Sequence, residues 1–307
     1  MRFLFRVLGA LIAVALILFV ATGIVRFVQQ AWFGNIFRSS KIAVLEVTGV
    51  LWTSNQFVKQ IESVLEDGSY KAIVVRINSP GGLVAPSQEI FEAIKKADAK
   101  IPVIISMGAL AASGGYYAAL GGRKIFANSG TLTGSIGVIM EFVNTEKLYH
   151  WAKVDRFSLK AGKFKDAGTP LRQMTPEERE LMIRMLTDIH AQFKQSVHER
   201  RKISEKDLEN VTDGRVLTGS QALQARLVDS LGGIQEALAA ARQTANLSEK
   251  APVEYVVEKP SLLRRLLFGE EDSSSESLLS FALNTLKASD LVSPSPGWRV
   301  LLLAPLS

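Results

Sequence analysis

The chain has 307 residues, 47% of them hydrophobic, so it can bury a full core and still carry an additional segment. Cysteine is absent, which excludes disulfide bonds, thiolate metal sites and cysteine nucleophiles. The formal net charge is +6, but five positive side chains precede the first acidic residue, Glu46, and the remainder is nearly neutral. We therefore expect no nucleic-acid binding.

The N-terminal residues 7–25 are uncharged and almost entirely apolar. As a helix they would rise about 28 Å, close to the roughly 30 Å hydrocarbon core of a bilayer. A cleavable signal peptide has a shorter apolar region that ends at a small-x-small site, and apolar residues follow Ala21-Thr22-Gly23 here. The sequence predicts an uncleaved signal anchor in the cell (inner) membrane, with cleavage as the alternative. Large C-terminal domains translocate largely regardless of charge, so we expect the remainder on the extracytoplasmic side.

Strands and helices alternate from residue 42 onward. Helices are predicted over residues 56–65 and 88–96. Buried or short strands are predicted over residues 42–47, 72–77, 103–106, 124–127, 136–140 and 156–159. This alternation indicates an α/β fold with a mainly parallel sheet and helices on its faces.

A long helix is predicted to start after Thr175. Thr175 is a capping residue, Pro176 suits the first helical position, and Glu178 follows three residues after the cap. Apolar residues then recur every four positions from Leu181 to Val197, which indicates one face packed on the core. Two shorter helices are predicted over residues 221–226 and 235–244.

The composition changes after Glu249. Residues 262–267 are amphipathic, residues 272–277 form a serine-rich spacer, and residues 300–303 are apolar. We therefore expect three regions. They are an anchor with its linker (residues 1–40), a core domain (41–249) and a C-terminal tail that is regulatory or disordered (250–307).

Ser113 is a candidate nucleophile. It follows a predicted buried strand and precedes Gly114 and Gly115 at the start of a predicted helix. Small neighbours allow a substrate backbone to approach the hydroxyl, and free amides at a helix start can bind an oxyanion. The same residues are also typical of a tight strand-to-helix turn that needs close packing.

The three histidines are poor candidates for the base that a serine nucleophile needs. His190 and His198 fall on the long predicted helix, and His150 falls in another helical segment. Packing or surface positions explain each of them, and no metal-ligand spacing connects them.

A lysine is the alternative base. It can accept the serine proton if burial lowers its pKa from about 10.4 to about 7 or 8. Lys160, Lys163 and Lys165 follow the predicted strand over residues 156–159, and spacing alone does not choose among them. A solvated basic loop would have the same sequence.

Two glycine-rich segments complete the set of candidates. Gly81-Gly82 offers backbone amides where an extended peptide or a carbonyl oxygen could bind, or else forms a simple βα turn. Ser79 is a rival nucleophile, although the following Pro80 indicates a turn. Residues 130–137 resemble a phosphate loop but lack its Gly-Lys-Ser/Thr ending, so we expect no nucleotide and no other cofactor.

Taken together, these segments resemble signal peptide peptidase A, short form, a family of membrane-bound Ser/Lys peptidases. The resemblance spans residues 42–240 and rests on four motifs in order: Asn78-Ser79-Pro80-Gly81-Gly82, Ala112-Ser113-Gly114-Gly115-Tyr116-Tyr117, residues 132–140, and Asp213-Gly214-Arg215-Val216. It implies a Clp/crotonase-like fold with Ser113 as nucleophile. It also implies Lys165, the lysine before Asp166, as general base, and leaves Lys163 outside the pattern.

The resemblance implies further roles and partners. Ser135 would hydrogen-bond Lys165 and orient it, while the amides of Gly82 and Gly114 would form the oxyanion hole. Short members form ring-shaped homo-oligomers in which serine and lysine of adjacent protomers meet. The implied partners are peptide substrates, namely signal peptide remnants and other extended apolar peptides, and the lipid bilayer. Acyl-CoA chemistry on a crotonase-like fold and a membrane-anchored peptide-binding scaffold are the alternative functions.

Overall fold

The computed structural model describes residues 40–257, Thr22 and the backbone of residues 301–303. The predicted signal anchor over residues 7–25, except Thr22, lies outside the described residues, as do the amphipathic segment 262–267 and the spacer 272–277. Of the helices in the described part, none has both the length and the apolar character needed to cross a membrane.

One mixed sheet organises the described residues. Its strands are β1 (Lys41–Leu51), β2 (Tyr70–Leu83), β3 (Val103–Ala112), β4 (Lys124–Ala127), β5 (Leu132–Gly134), β6 (Val216–Thr218), β7 (Ser230–Leu231), β8 (Val253–Tyr255) and β9 (Leu301–Leu303). The order along the sheet is β6-β5-β3-β2-β1-β8, while β4 pairs with β3 and β7, and β9 pairs with β2. The pairings are parallel except β5–β6 and β2–β9, which are antiparallel.

Helices cover both faces of the sheet. They are α1 (Asn55–Glu66), α2 (Val84–Asp98), α3 (Gly114–Ala119), α4 (Glu146–Trp151), α5 (Pro176–Arg201), α6 (Glu205–Glu209), α7 (Gly219–Gln224) and α8 (Ile234–Thr244). Side chains of α1, α2, α3 and α5 belong to the core cluster on one face, and α8 packs against the other. The side chains of a strand alternate between the two faces of its sheet. Because both faces are covered by helices, β1, β2 and β3 carry buried apolar side chains on both sides. The predicted α/β fold is confirmed.

Strand β2 continues through a proline that the sequence suggested would end it. The register of β1 against β2 shifts at Gly49, so that Ser79 and Pro80 both face this glycine. A bulge of this kind leaves a residue unpaired, and proline, which has no N–H to donate, is tolerated there. The bulge allows β2 to extend to Leu83, beside the end of β3.

Two of the predicted short strands are wrong. The strand expected over residues 136–140 lies earlier, as β5, where it pairs with β3 and β6. Residues 156–159 form no strand, and Phe157 and Leu159 are 84% and 94% exposed. Their alternating pattern needs a neighbouring strand, and the described part of one chain places none beside them.

Candidate active site

Ser113 occupies a strained turn between β3 and α3. Its φ is +53° and its ψ −118°, a backbone conformation that L-residues other than glycine rarely adopt. The amide of Ser113 donates a 2.8 Å hydrogen bond to the carbonyl of Gly134 in β5. The residue is fully buried, and within the described residues its hydroxyl has no hydrogen-bond partner. A strained strand-to-helix turn that presents an unpaired hydroxyl is the arrangement of a serine nucleophile.

Close packing of glycines brings two backbone segments together beside this serine. A Cβ placed on Gly114 would lie 3.2 Å from the nitrogen of Gly82 and 2.4 Å from Oγ of Ser87. A Cβ on Gly82 would lie 2.4 Å from the nitrogen of Leu51. The structure therefore brings Gly82 and Gly114 into contact, and neither position has room for a side chain.

The edge of β2 next to Ser113 is paired with β9 instead of β3. The last residue of β2 paired with β3 is Ser79, opposite Ala111. Beyond it, Gly81–Leu83 pairs antiparallel with Leu301–Leu303. Because β3 turns away at Ser113, this side of Gly81–Leu83 is available to another strand, and β9 pairs there.

Ser135 lies near Ser113 through the backbone. It follows Gly134, the acceptor of the Ser113 amide, and it is buried with a positive φ of +49°. Its own amide donates a 2.8 Å hydrogen bond to the carbonyl of Arg215. The third and fourth sequence motifs thus meet beside Ser113, since Arg215 belongs to the fourth motif.

The three candidate lysines differ in their ion pairs. Lys160 pairs with Asp166, and Lys163 pairs with Glu177 at 2.7 Å. A carboxylate partner stabilises the protonated amine and opposes the role of a base. Within residues 40–257, no ion pair or hydrogen bond involves the side chain of Lys165. Lys165 is exposed, and its amine forms no hydrogen bond with the hydroxyl of Ser113 in the described part of one protomer.

The remaining candidates have other hydrogen bonds. Nε2 of His190 lies 3.2 Å from the carbonyl of Ile136, and Nδ1 of His198 lies 2.8 Å from the carbonyl of Ile203, while His150 is exposed. No group of residues that could hold a metal ion occurs in the described part of the chain.

Ser79 is buried and fully hydrogen-bonded. Its hydroxyl donates to the carbonyl of Gly49 at 2.6 Å and accepts from the amide of Gly81 at 3.1 Å. These bonds fix the bulge of β2, and they leave the hydroxyl no free role as a nucleophile.

The chain is similar to known protein families. The profile of peptidase family S49 matches residues 95–248, about half of the chain. The chain belongs to this family. A second profile, that of Clp protease, matches residues 30–132, in agreement with a Clp-like α/β fold.

Relatives of this S49 peptidase are named as proteases. A Synechocystis protein with a protease name, slr0021, is 39% identical over 233 residues, which cover 75% of this chain and 84% of that one. The chloroplastic serine protease SPPA of Arabidopsis thaliana is 36% identical over 71% of this chain and 32% of its own length. Protease 4 of Salmonella typhi is 31% identical over 76% of this chain and 38% of its own length.

The resemblance to signal peptide peptidase A is therefore confirmed, and the chain is a serine peptidase. It spans less than two fifths of the plant and Salmonella relatives. Among solved structures, a membrane-bound stomatin-specific protease, 1510-N, matches 72% of this chain with a TM-score of 0.45 and 20% identity.

The sequence of this S49 peptidase did not predict one group of connected residues, which is centred on Arg172. Arg172 forms hydrogen bonds with Asp166, which follows Lys165, and with Glu178 at the start of α5. Each carboxylate is six residues away from Arg172, and this spacing inside a loop carries no signal of contact.

Proposed function

We propose that the chain hydrolyses peptide bonds with Ser113 as nucleophile and Lys165 as general base. The neutral lysine amine takes the proton of the hydroxyl as Ser113 attacks the peptide carbonyl, and then gives it to the leaving amine. Water hydrolyses the resulting acyl-enzyme. The observation that supports this proposal is the buried, unpaired hydroxyl of Ser113 in a strained turn beside the backbone of Gly82 and Gly114.

The amides of Gly82 and Gly114 supply the proposed oxyanion hole. Both belong to backbone segments in contact with one another at the nucleophile. Two convergent amide donors stabilise the negative charge that develops on the carbonyl oxygen. In this proposal Ser135 bonds the lysine amine when that amine enters the site, and the support is its position next to Gly134, the acceptor of the Ser113 amide.

The proposed substrates are extended apolar peptides, including signal peptide remnants. A peptide would pair with β2 along Gly81–Leu83, as β9 does. Leu83, Val84 and Ala112 border this edge without a charged side chain, so a buried ionic residue would find no counter-charge. We expect mass spectrometry of digests to show cleavage after small or apolar residues. A profile dominated by Arg or Asp would contradict the proposed edge.

The proposed assembly is a homo-oligomeric ring in which Lys165 enters the site of a neighbouring copy. A lysine base must be removed from water, and Lys165 is exposed in one protomer. The preceding chain also exposes large apolar side chains that another copy would cover: Val143, Leu148, Trp151, Phe157, Leu159 and Phe164.

The proposed location is a membrane, with residues 7–25 as a single-pass anchor. The support is the sequence of this segment alone, whose length and lack of charge match the hydrocarbon core. The catalytic domain would then lie on the extracytoplasmic side.

Substitution of the lysines tests the dyad. Lys165→Arg should abolish peptide hydrolysis, because a guanidinium stays protonated, whereas the matched variant Lys163→Arg should keep the wild-type rate. The wild-type rate should rise from mildly acidic to alkaline pH. Substantial hydrolysis by Lys165→Arg near neutral pH would exclude this lysine as the base.

A fluorophosphonate probe tests the nucleophile and a mixing experiment tests the ring. The probe should label wild-type protein and not Ser113→Ala. Co-assembled Ser113→Ala and Lys165→Ala chains should regain about a quarter of the wild-type rate if adjacent protomers share each site. Absence of recovery in proven mixed oligomers would place both residues in one chain.

A further inference from the structure

Two side chains connect the loop that carries Lys165 to helix α5: Lys163, in an exposed ion pair with Glu177, and Arg172, through a buried carboxylate. Nη2 of Arg172 donates to Oδ2 of Asp166 at 3.1 Å and to Oε1 of Glu178 at 2.6 Å. Its Nη1 donates to Oε2 of Glu178 at 2.9 Å. Because Asp166 follows Lys165 directly, the guanidinium links the proposed base to a 26-residue helix.

Glu178 is a rigid attachment point for this arginine. It is 3% exposed, and it completes the capping box of α5 with Thr175. Its Oε2 accepts a 2.9 Å hydrogen bond from the Thr175 amide, and its own amide donates to Oγ1 of Thr175 at 3.2 Å. With both oxygens bonded, the carboxylate has one orientation, and a guanidinium fork bound to it shares that orientation.

Apart from the exposed Lys163–Glu177 ion pair, the loop around Lys165 has little other structure to hold it. No helix or strand occurs between Trp151 and Pro176. The backbone hydrogen bonds within this loop are those of turns. For example, the amide of Lys165 donates to the carbonyl of Gly162 at 3.2 Å. Hydrogen bonds from Lys160 and Arg172 also lower the pKa of the Asp166 carboxyl below its ordinary value, so it is ionised at neutral pH. The side chain of Asp166 therefore holds the loop in place at the residue that follows Lys165, through its bonds to Lys160 and Arg172.

We propose that Arg172 is a positioning residue for the general base, holding Lys165 in place through Asp166 and transmitting the rigidity of α5. The inference rests on the proposed function. A general base must reach the hydroxyl within about 2.6–3.2 Å, and a displacement of about 1 Å can lower the rate by about 100-fold. A lysine that enters a neighbouring protomer on a turn-rich loop needs such an anchor.

Kinetics of full-length variants test this role. Asp166→Asn removes the carboxylate charge, which weakens the bonds from Arg172 and Lys160 to the loop, and leaves the Arg172–Glu178 pair and the helix cap intact. We expect kcat to fall by about 10- to 100-fold with KM within about twofold of wild type. Arg172→Lys should show the same fall, because an ammonium does not reproduce the guanidinium fork. Arg184→Gln is the matched control, since it removes an exposed ion pair on the same helix and should leave kcat unchanged.

Chemical rescue separates positioning from folding. Guanidinium ions added at millimolar concentration should restore part of the kcat of Arg172→Ala, and amide hydrogen exchange over residues 160–169 should be faster in that variant than in wild type or Arg184→Gln. Wild-type kcat in both Asp166→Asn and Arg172→Lys would overturn the inference. If Lys165→Arg is inactive in the same assay, the dyad stands and only the role of Arg172 fails. If Lys165→Arg is active, the proposed dyad fails first.

Discussion

A methyl group on Gly114 would lie 2.4 Å from Oγ of Ser87 and 3.2 Å from the nitrogen of Gly82. The Ser87 hydroxyl would have to rotate away and the Gly82 backbone to move by a few tenths of an ångström, so Gly114→Ala should disturb the two amides of the proposed oxyanion hole. We expect kcat for an apolar peptide to fall by about 10- to 100-fold, since loss of one such donor costs up to about 1,000-fold. Steady-state kinetics would measure the change in kcat, and a thermal melt would show whether the variant is still folded.

The control for this substitution is Gly68→Ala, because a Cβ at Gly68 would meet no atom within 4 Å. That variant should keep both stability and rate. An unchanged rate for Gly114→Ala at full folding would show that this amide takes no part in catalysis.

At the same scale, the residue patterns indicated a candidate nucleophile but did not choose its base, and the resemblance selected both Ser113 and Lys165. The small residues around Ser113 by themselves predict a turn. The spacing left Lys160, Lys163 and Lys165 equal, because ion pairs with Asp166 and Glu177 depend on how the loop folds. A dihedral such as φ +53° at Ser113 is likewise set by tertiary contacts.

Among the elements, the start of α5 should stabilise the protein to a degree that depends on pH. Hydrogen bonds from Arg172, assisted by the Thr175 amide, lower the pKa of the Glu178 carboxyl from 4.5 to about 2. A carboxyl whose pKa falls on folding stabilises the protein above the unfolded pKa, and this stabilisation is lost as pH falls through the folded value. Glu178→Gln should therefore lower the free energy of unfolding by about 1–3 kcal/mol at neutral pH.

The difference from wild type should narrow as pH falls from 4.5 towards 2, where wild type also loses the charge. Chemical denaturation at several pH values would show it, with the exposed Glu180→Gln as control. A constant difference down to pH 2 would mean that the stabilisation of α5 does not depend on the ionised carboxylate.

Local signals predicted most elements, and contacts distant in sequence explain the failures. Residues 124–127 form β4 as predicted, and the capping residues before Glu178 start α5 as predicted. The passage of β2 through Pro80 depends on Gly49 in another strand, which no local pattern reveals. An alternating pattern at residues 156–159 indicated a strand, but a strand also needs a neighbour to pair with.

For the whole molecule, the sheet extends beyond the boundary at Glu249 that composition indicated. Strand β8 pairs with β1 from Ile42 to Val44, and the amide of Val256 donates to the carbonyl of Val44 at 3.0 Å. We therefore propose that the C-terminal tail begins after Val257. The exposed apolar side chains near Lys165 also concern the whole assembly. A single sequence does not show which surface of another copy covers them.

Removal of the tail should leave a folded enzyme with an unchanged or higher rate. Strand β9 pairs with Gly81–Leu83, the edge proposed for substrate, so its backbone occupies the place of a peptide. A chain that ends at Val257 keeps β8 and loses β9. We expect faster hydrolysis of short apolar peptides, mainly through a lower KM, because substrate no longer competes with an attached strand.

A point variant distinguishes occupancy of this edge from other effects of the tail. Leu302→Pro in the full-length chain keeps the length of the tail but removes a backbone N–H and disfavours strand pairing opposite Gly82. It should raise the rate as truncation does, whereas a proline substitution at Ser274, in the serine-rich spacer, should not. If the truncated protein unfolds or dissociates into inactive monomers, the tail is a structural part of the assembly. If the truncated chain and Leu302→Pro both hydrolyse peptides at the wild-type rate, β9 leaves the edge of β2 freely whenever substrate binds.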